Sequence, residues 1–191
     1  MKSWQGVLLA AGQGKRFDAS GKRNKLLQQL PSGLTVAGSS ATNMLSILPA
    51  TIAVISTNTQ TLASALILAG CELTVCDDAH EGLANSLVHA LQHSSLDCSG
   101  WVIALADMPF VQPDTIAAIV QALNSGAGIV VPTFLGTRGN PVGFSREYLP
   151  QLLALTGDQG ARSLLKTFPV TEVAVSDAGI LKDIDVPTDL L

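Results

Sequence analysis

Five short apolar runs constrain the fold of this chain more than any other feature: Gly6 to Ala10, Thr51 to Ser56, Leu73 to Cys76, Trp101 to Ala106 and Gly128 to Pro132. Each is too short for a stable helix and is apolar at consecutive positions, so both faces of each strand must be covered. The intervening segments carry helical spacing: Ser40 to Leu48, Thr61 to Ala69, Leu83 to His93 and Thr115 to Leu123, the last opened by Pro113-Asp114. Strands alternating with helices predict a mostly parallel sheet between two helical layers, an α/β three-layer sandwich. After Pro132 the rhythm loosens into a polar stretch around Gly139, short helices near Tyr148 and Ala161, and alternation from Val170 to Val175. No repeat, linker or low-complexity segment interrupts the 191 residues, so a single domain over 1–191 is expected.

Composition narrows the function. The chain is 47% hydrophobic and only 14% charged, the profile of a well-buried core. Its formal net charge of −4 argues against general nucleic-acid binding or a membrane surface. No apolar run approaches the ~18 residues of a membrane span. The N-terminus enters a strand directly, unlike a secretion signal. Three cysteines without Cys-x-x-Cys spacing read as reduced thiols. A cytoplasmic location is expected.

In such a sheet, ligands bind beyond the carboxyl ends of the strands. The loop after the first run reads Leu9-Ala10-Ala11-Gly12-Gln13-Gly14-Lys15-Arg16. Small residues let backbone amides approach an anion closely. Five of the eleven basic residues (Lys15, Arg16, Lys22, Arg23, Lys25) fall between positions 15 and 25. In an acidic chain this concentration reads as a phosphate site; the plainer alternative is a solvated charged loop. The loop lacks the Gly-x-x-x-x-Gly-Lys-Ser/Thr of a P-loop. It also has Phe17 in place of the third glycine of the dinucleotide fingerprint, and Ser56-Thr57-Asn58 where an acid would end the second strand.

Two further places carry carboxylates. Asp107-Met108-Pro109 follows the fourth run, and a carboxylate there suits Mg²⁺, a hard ion that takes one or two carboxylates plus substrate phosphates. The alternative is a turn cap. Near the end, Lys182-Asp183-Ile184-Asp185 places Asp183 and Asp185 on one side if extended, so either qualifies as a second ligand.

Leu-Ala-Ala-Gly-x-Gly-x-Arg-Phe, Asp-Met-Pro, Arg-Gly-Asn-Pro-Val-Gly-Phe, Gly-Asp-x-Gly-Ala-Arg and Asp-Ile-Asp-x-Pro-x-Asp-Leu occur in that order between residues 7 and 190. Together they resemble the molybdenum cofactor cytidylyltransferases, which are MobA-like nucleotidyltransferases. The resemblance implies a Rossmann-like, GT-A-like nucleotidyltransferase fold and transfer of CMP from CTP to the phosphate of molybdopterin, with Mg²⁺ and release of pyrophosphate. It implies that the loop containing Leu9, Ala10, Ala11, Gly12 and Gly14 holds the nucleotide, with Arg16 and Lys25 on its phosphates. Asp107 is implied as a metal ligand and Asp185 as the second. Ser86, in Gly82-Leu83-Ala84-Asn85-Ser86, resembles a nucleotide contact, or is an ordinary small residue at a helix start. Ala10-Ala11 points to CTP, since guanylyl relatives tend to Leu-Ala-Gly-Gly. Asn140 stands where many cytidylyltransferases have histidine, on the acceptor side. The loop is longer than the family's, which leaves Lys22 as the alternative to Lys25.

Gly157-Asp158-Gln159-Gly160-Ala161-Arg162 is expected to open a helix whose N-terminus attracts anions, with Asp158 and Arg162 on the acceptor side. A phosphate monoester with a second pKa of about 6 is already largely dianionic at neutral pH, so no general base is required. His80 lacks a zinc motif, and His89 and His93 lack a third ligand, so they read as surface or groove residues.

From Leu26 to Cys71 there is no charged residue. The stretch 26–71 reads either as a partner surface, for a molybdenum enzyme or a second copy, or as a segment that uncharged polar residues suffice to solvate. Two other functions stay open: guanylyl transfer, and a silent nucleotide- or cofactor-binding chaperone.

Overall fold

The structure is a computed structural model that describes the chain except Met1, Gln13, Lys15, Ala19, Gly21, Lys22, Leu96, Asp158, Gln159 and Leu191. Eight strands form one sheet: β1 (Trp4–Leu9), β2 (Thr51–Ser56), β3 (Glu72–Cys76), β4 (Gly100–Leu105), β5 (Ile129–Phe134), β6 (Thr137–Arg138), β7 (Val142–Ser145) and β8 (Thr171–Ala174). Their order is β3-β2-β1-β4-β7-β5-β6, with β8 also paired to β5. The β1–β2, β2–β3, β1–β4 and β5–β8 pairs are parallel; β7 runs antiparallel to both β4 and β5.

The helices are α1 (Val36–Leu45), α2 (Gln60–Ala69), α3 (Leu83–Gln92), α4 (Pro113–Asn124), α5 (Leu149–Leu153) and α6 (Leu164–Thr167). Alternation along β1 sorts its side chains between the layers. Val7 and Leu9 pack with Leu87, Ala90 and Leu91 of α3. Leu8 packs with Val36, Ala37 and Ala41 of α1 and Leu62 and Leu66 of α2. Beyond β4, Val102 and Val130 meet Ile116, Ile119 and Leu123 of α4. This is the expected Rossmann-like sandwich, with all three cysteines buried and free. Burial alone pushes the Cys71 thiol up to about 11. Among the described residues, no helix is long and apolar enough to cross a membrane.

Two departures from expectation have physical causes. The first helix begins at Val36, not Ser40, because the Thr35 hydroxyl accepts the Gly38 N–H at 3.0 Å and caps it. The strand β7 goes unseen in the hydropathy pattern because it has only four residues and includes Gly143. There a Cβ would lie 2.7 Å from Ile119 and 2.9 Å from Leu123, so the glycine lets α4 approach the sheet.

The uncharged stretch has internal work to do. Ser39 and Asn43 of α1 donate to the Pro109 carbonyl at 3.1 and 3.2 Å, Asn43 also to Val111 at 2.9 Å, and Ser40 to Ala106 at 2.9 Å. These bonds fasten the turn after β4. On α2, Ile67 and Leu68 face outward.

Candidate active site

Chain order reverses on either side of β1, which lies between β2 and β4, and the crevice beyond such a reversal is where ligands bind in open α/β sheets. A cleft of about 490 Å³ opens there, its wall including Leu9, Ala11, Gly12 and Gly14 after β1, and Leu105 and Asp107 at the end of β4. Gly14 has φ +59°, a left-handed turn that suits glycine, and the Phe17 N–H returns to its carbonyl at 2.9 Å. The longer loop is folded on itself: Asp18 accepts the N–H groups of Ser20 and Arg23, at 2.9 and 2.8 Å. Arg23 lies over Phe17 and donates to Gln28, so it is used within the loop.

Lys25 opens a 3-10 turn (Lys25–Leu27) capped by Asn24, whose side-chain oxygen accepts the Leu26 N–H at 2.9 Å. That turn buries the lysine to 8% exposure and aims it into the cleft. Its Nζ lies 2.6 Å from Asp107 Oδ2 and 3.6 Å from Asp185 Oδ1, while Arg16 bonds the other oxygen of Asp185. Candidate residues 82 and 160 positions apart from Lys25 in the chain thus meet in one network.

Three anchors hold the segment carrying Asp185. Asp177 is buried and accepts from Gln112 N at 2.8 Å, Thr115 Oγ1 at 2.7 Å and Gly179 N at 2.8 Å. The Ile184 N–H donates to the Asp107 carbonyl at 2.8 Å. Asp189 Oδ2 accepts the N–H groups of Asp185 and Val186, both at 2.8 Å, and these bonds hold its carboxyl below its ordinary range.

Asp107, Asp183 and Asp185 each present an oxygen within 4.8 Å of the others. Asp107 Oδ1 is buried and has no hydrogen-bond partner among the described residues. A buried acceptor without a donor is costly unless a cation satisfies it. An all-carboxylate donor set suits a hard divalent ion such as Mg²⁺ or Mn²⁺, so the residues fit a metal of that class.

A second cavity of about 770 Å³ adjoins the first and shares Leu9, Leu83, Leu105 and Arg162 with it. Its floor includes Val142 and Phe144, and its rim carries Arg138, Asn140 and Lys166. Arg138 is tied to Glu172 at 2.7 Å.

Most expected positions converge here, and two readings, of Ala10 and of the helix start at 157–162, need correction. Ala10 is buried in the core and donates its N–H to Val54 at 2.9 Å, so β2 occupies the amide expected to serve a nucleotide. Ser86 is buried and lines the cleft, at the position expected of a nucleotide contact. Gly160–Ser163 is a 3-10 turn followed by the four-residue α6, too short to supply the helix N-terminus expected there; Arg162 reaches both cavities from that turn. Asp158 and Lys22 lie outside the described residues. His89 and His93 stack on each other 4.2 Å apart, and His89 Nε2 bonds Thr74 Oγ1 at 2.7 Å. Sequence reasoning missed His80 and Leu83 on the cleft wall, and the anchoring roles of Asp177 and Asp189.

The sequence and the fold are similar to those of known proteins. A family model described as MobA-like NTP transferase domain matches residues 6–174. The purine catabolism protein PucB of Bacillus subtilis (strain 168) is 36% identical over 121 residues, 61% of this chain; the match spans only 58% of that relative. The crystal structure of Rv0371c from Mycobacterium tuberculosis H37Rv superposes with a TM-score of 0.85 at 29% identity, covering 98% of this chain and 95% of that one. A manganese complex of the same protein superposes at 0.81 and 28% identity, covering 98% and 96%. The molybdopterin-guanine dinucleotide biosynthesis protein A of Archaeoglobus fulgidus shares the fold at a TM-score of 0.67 and 19% identity, covering 97% and 94%. Because the family model takes in β1 through β8, including the cleft loop, Lys25 and Asp107, the match extends to the sheet and most of the site, and the chain belongs to the MobA-like NTP transferase family.

Proposed function

We propose that this chain transfers CMP from CTP to the phosphate of molybdopterin, releasing pyrophosphate and using Mg²⁺. The observation that carries the reading is the pair of adjoining cavities that meet at Arg162. One holds the Lys25–Asp107–Asp185–Arg16 network that suits a nucleoside triphosphate and its metal. The other has an apolar floor and a cationic rim, which suits a flat ring system bearing anionic groups. A polyol phosphate would call for acceptors along the floor, where Phe144, Val142 and Ile103 stand instead. Ala11 on the cleft wall, with the Leu-Ala-Ala-Gly pattern, favours cytosine over guanine.

Asp107 and Asp185 would hold the metal, which when bound supplies charge neutralisation at the transferred phosphate. Lys25 and Arg16 bind and orient the triphosphate, and the loop amides after β1 approach it from the other side. Arg162 steadies the acceptor phosphate beside the α-phosphate. An acceptor oxygen forms the new P–O bond as the bond to pyrophosphate breaks. The acceptor is already dianionic near neutral pH, so the chain need only position the partners and offset charge.

Thermal unfolding with CTP, GTP, ATP and UTP, each with and without Mg²⁺, tests this reading. A ligand at about 100 times its dissociation constant adds about 2.7 kcal/mol, a visible midpoint shift. A selective CTP–Mg²⁺ shift, followed by pyrophosphate release on adding molybdopterin, is the expected result. A GTP preference moves the reading to guanylyl transfer. Nucleotide binding without pyrophosphate release points to a carrier.

A further inference from the structure

The cation buried against the metal-type carboxylates is the Lys25 ammonium. Lys25 Nζ lies 2.6 Å from Asp107 and 3.6 Å from Asp185, and its side chain is only 10% exposed. The capped 3-10 turn fixes where that side chain starts, and Gly14 packs beside it: a Cβ there would lie 3.4 Å from Lys25 Cγ. Arg16 differs in kind. Its side chain is 80% exposed, and an exposed ion pair of that type exchanges readily.

We propose that Lys25 is a placeholder cation: it occupies the carboxylate cluster in the ligand-free protein, so that divalent cation and triphosphate bind interdependently. The inference rests on the reading that Asp107 and Asp185 hold the metal.

Charge counting gives the reason. Among the described residues, the three clustered carboxylates are paired with two cations, Lys25 and Arg16, which leaves one negative charge in excess at the cluster itself; Arg162 stands on the same cleft wall without an ion pair to it. A divalent ion arriving alone must either displace a buried ammonium from its partners or sit beside it against like-charge repulsion. A triphosphate arriving alone brings its own negative charge to a cluster already negative. Arriving together, they resolve both problems. The phosphates give Lys25 and Arg16 new oxygen partners, the released carboxylates take the divalent ion, and the orphaned Asp107 Oδ1 gains a partner. Because the coupling is a free energy shared between two ligands, each must raise the other's affinity by the same factor.

The test uses Mn²⁺ as the probe, with free ion read by electron paramagnetic resonance in the absence of nucleotide. Lys25→Met removes the charge at similar length, and is expected to tighten nucleotide-free Mn²⁺ binding about 10-fold over wild type. Lys25→Arg keeps a cation and is expected to stay close to wild type. Lys25→Met with Asp107→Asn is expected to lose the gain. Equal Mn²⁺ affinity in wild type and Lys25→Met overturns the proposal.

The unmodified protein supplies a second measurement. Its thermal midpoint shift with Mn²⁺ and nucleotide together should exceed the sum of the separate shifts. Additive shifts overturn the proposal independently of any variant. Running this with all four nucleotides separates the two readings. An excess with a nucleotide other than CTP keeps the placeholder and removes the cytidylyl assignment; no Mn²⁺ binding that depends on Asp107 removes both.

Discussion

The Asp189 carboxylate accepts the backbone N–H of Asp185 at 2.8 Å and that of Val186 at the same distance, so the residue that closes the C-terminal motif fixes the backbone of the second candidate metal carboxylate. Among the described residues, Asp189 makes no hydrogen bond to Lys25 or Asp107; it acts on the cleft mainly through the Asp185 backbone, with a weaker charge attraction to Lys25. Residues that orient ligands in this way typically change metal affinity about 10-fold or more when replaced.

Asp189→Ala is therefore expected to weaken Mn²⁺ binding in the presence of nucleotide about 10-fold while leaving the circular dichroism spectrum unchanged. The two N–H bonds lower the Asp189 carboxyl from its ordinary value of 3.8. Its contribution to stability is thus complete above that value and is lost as pH falls through the lowered one. Because Asp189 keeps its charge through mildly acidic pH, Asp189→Ala should lie at a constant offset from wild type across that range, whatever course the two midpoints follow together. An offset that vanishes at neutral pH would show that the carboxylate is not carrying the turn.

Lys25→Ala should weaken nucleotide binding by more than about 10-fold, as expected for a charge-assisted contact with phosphate. Lys22→Ala should change it by less than about 2-fold. Isothermal titration with the preferred nucleotide decides between them. The reverse order would mean that the lengthened loop presents Lys22 to the phosphates.

Much of this was legible before any coordinates, and the pattern of successes is physical. The five apolar runs all became strands within two residues of their expected ends; four are buried on both faces, which leaves a continuous hydrophobic signal, while β3 at the sheet edge exposes Glu72 and Val75. Asp107 stands out as a carboxylate at a strand end in a lightly charged chain, whereas Lys25 and Asp185 are singled out by the family resemblance; the structure brings the three side chains together. What escaped was carried by geometry that no local pattern encodes. β7 is a short strand made possible by the missing side chain of Gly143. Asp177 and Asp189 act on backbone N–H groups, which look alike in every sequence. Ala10 was misassigned because a loop motif does not show which of its amides the neighbouring strand has already taken.

Gly179 shows how closely the anchoring segment is fitted. A Cβ there would lie 2.1 Å from the Phe110 carbonyl oxygen and 2.8 Å from Asp177 Oδ1. The first neighbour is backbone and cannot rotate away, so Gly179→Ala must shift one segment against the other. The expected cost is about 1–3 kcal/mol, typical of overpacking. Chemical denaturation should show a lower midpoint at unchanged slope. Because this segment leads into Asp183 and Asp185, metal-dependent nucleotide binding should weaken as well. A variant with wild-type stability would mean that the approach to Phe110 relaxes freely.

His89 gives the fold a pH dependence separate from the cleft. Burial against β3 lowers its pKa from the ordinary 6.5, and the stacked His93 adds to the effect; Asp77 and Asp78 oppose it. Above 6.5 the ring is neutral in both folded and unfolded chains. As pH falls below that value the unfolded chain takes up the proton first, so stability declines until the pH reaches the lowered folded value. A melting series from pH 7.5 to 5 should therefore show a falling midpoint in wild type. In His89→Gln, which retains a group able to bond the Thr74 hydroxyl, the decline over this window should be shallower. Equal slopes would mean that His89 does not carry the acid sensitivity.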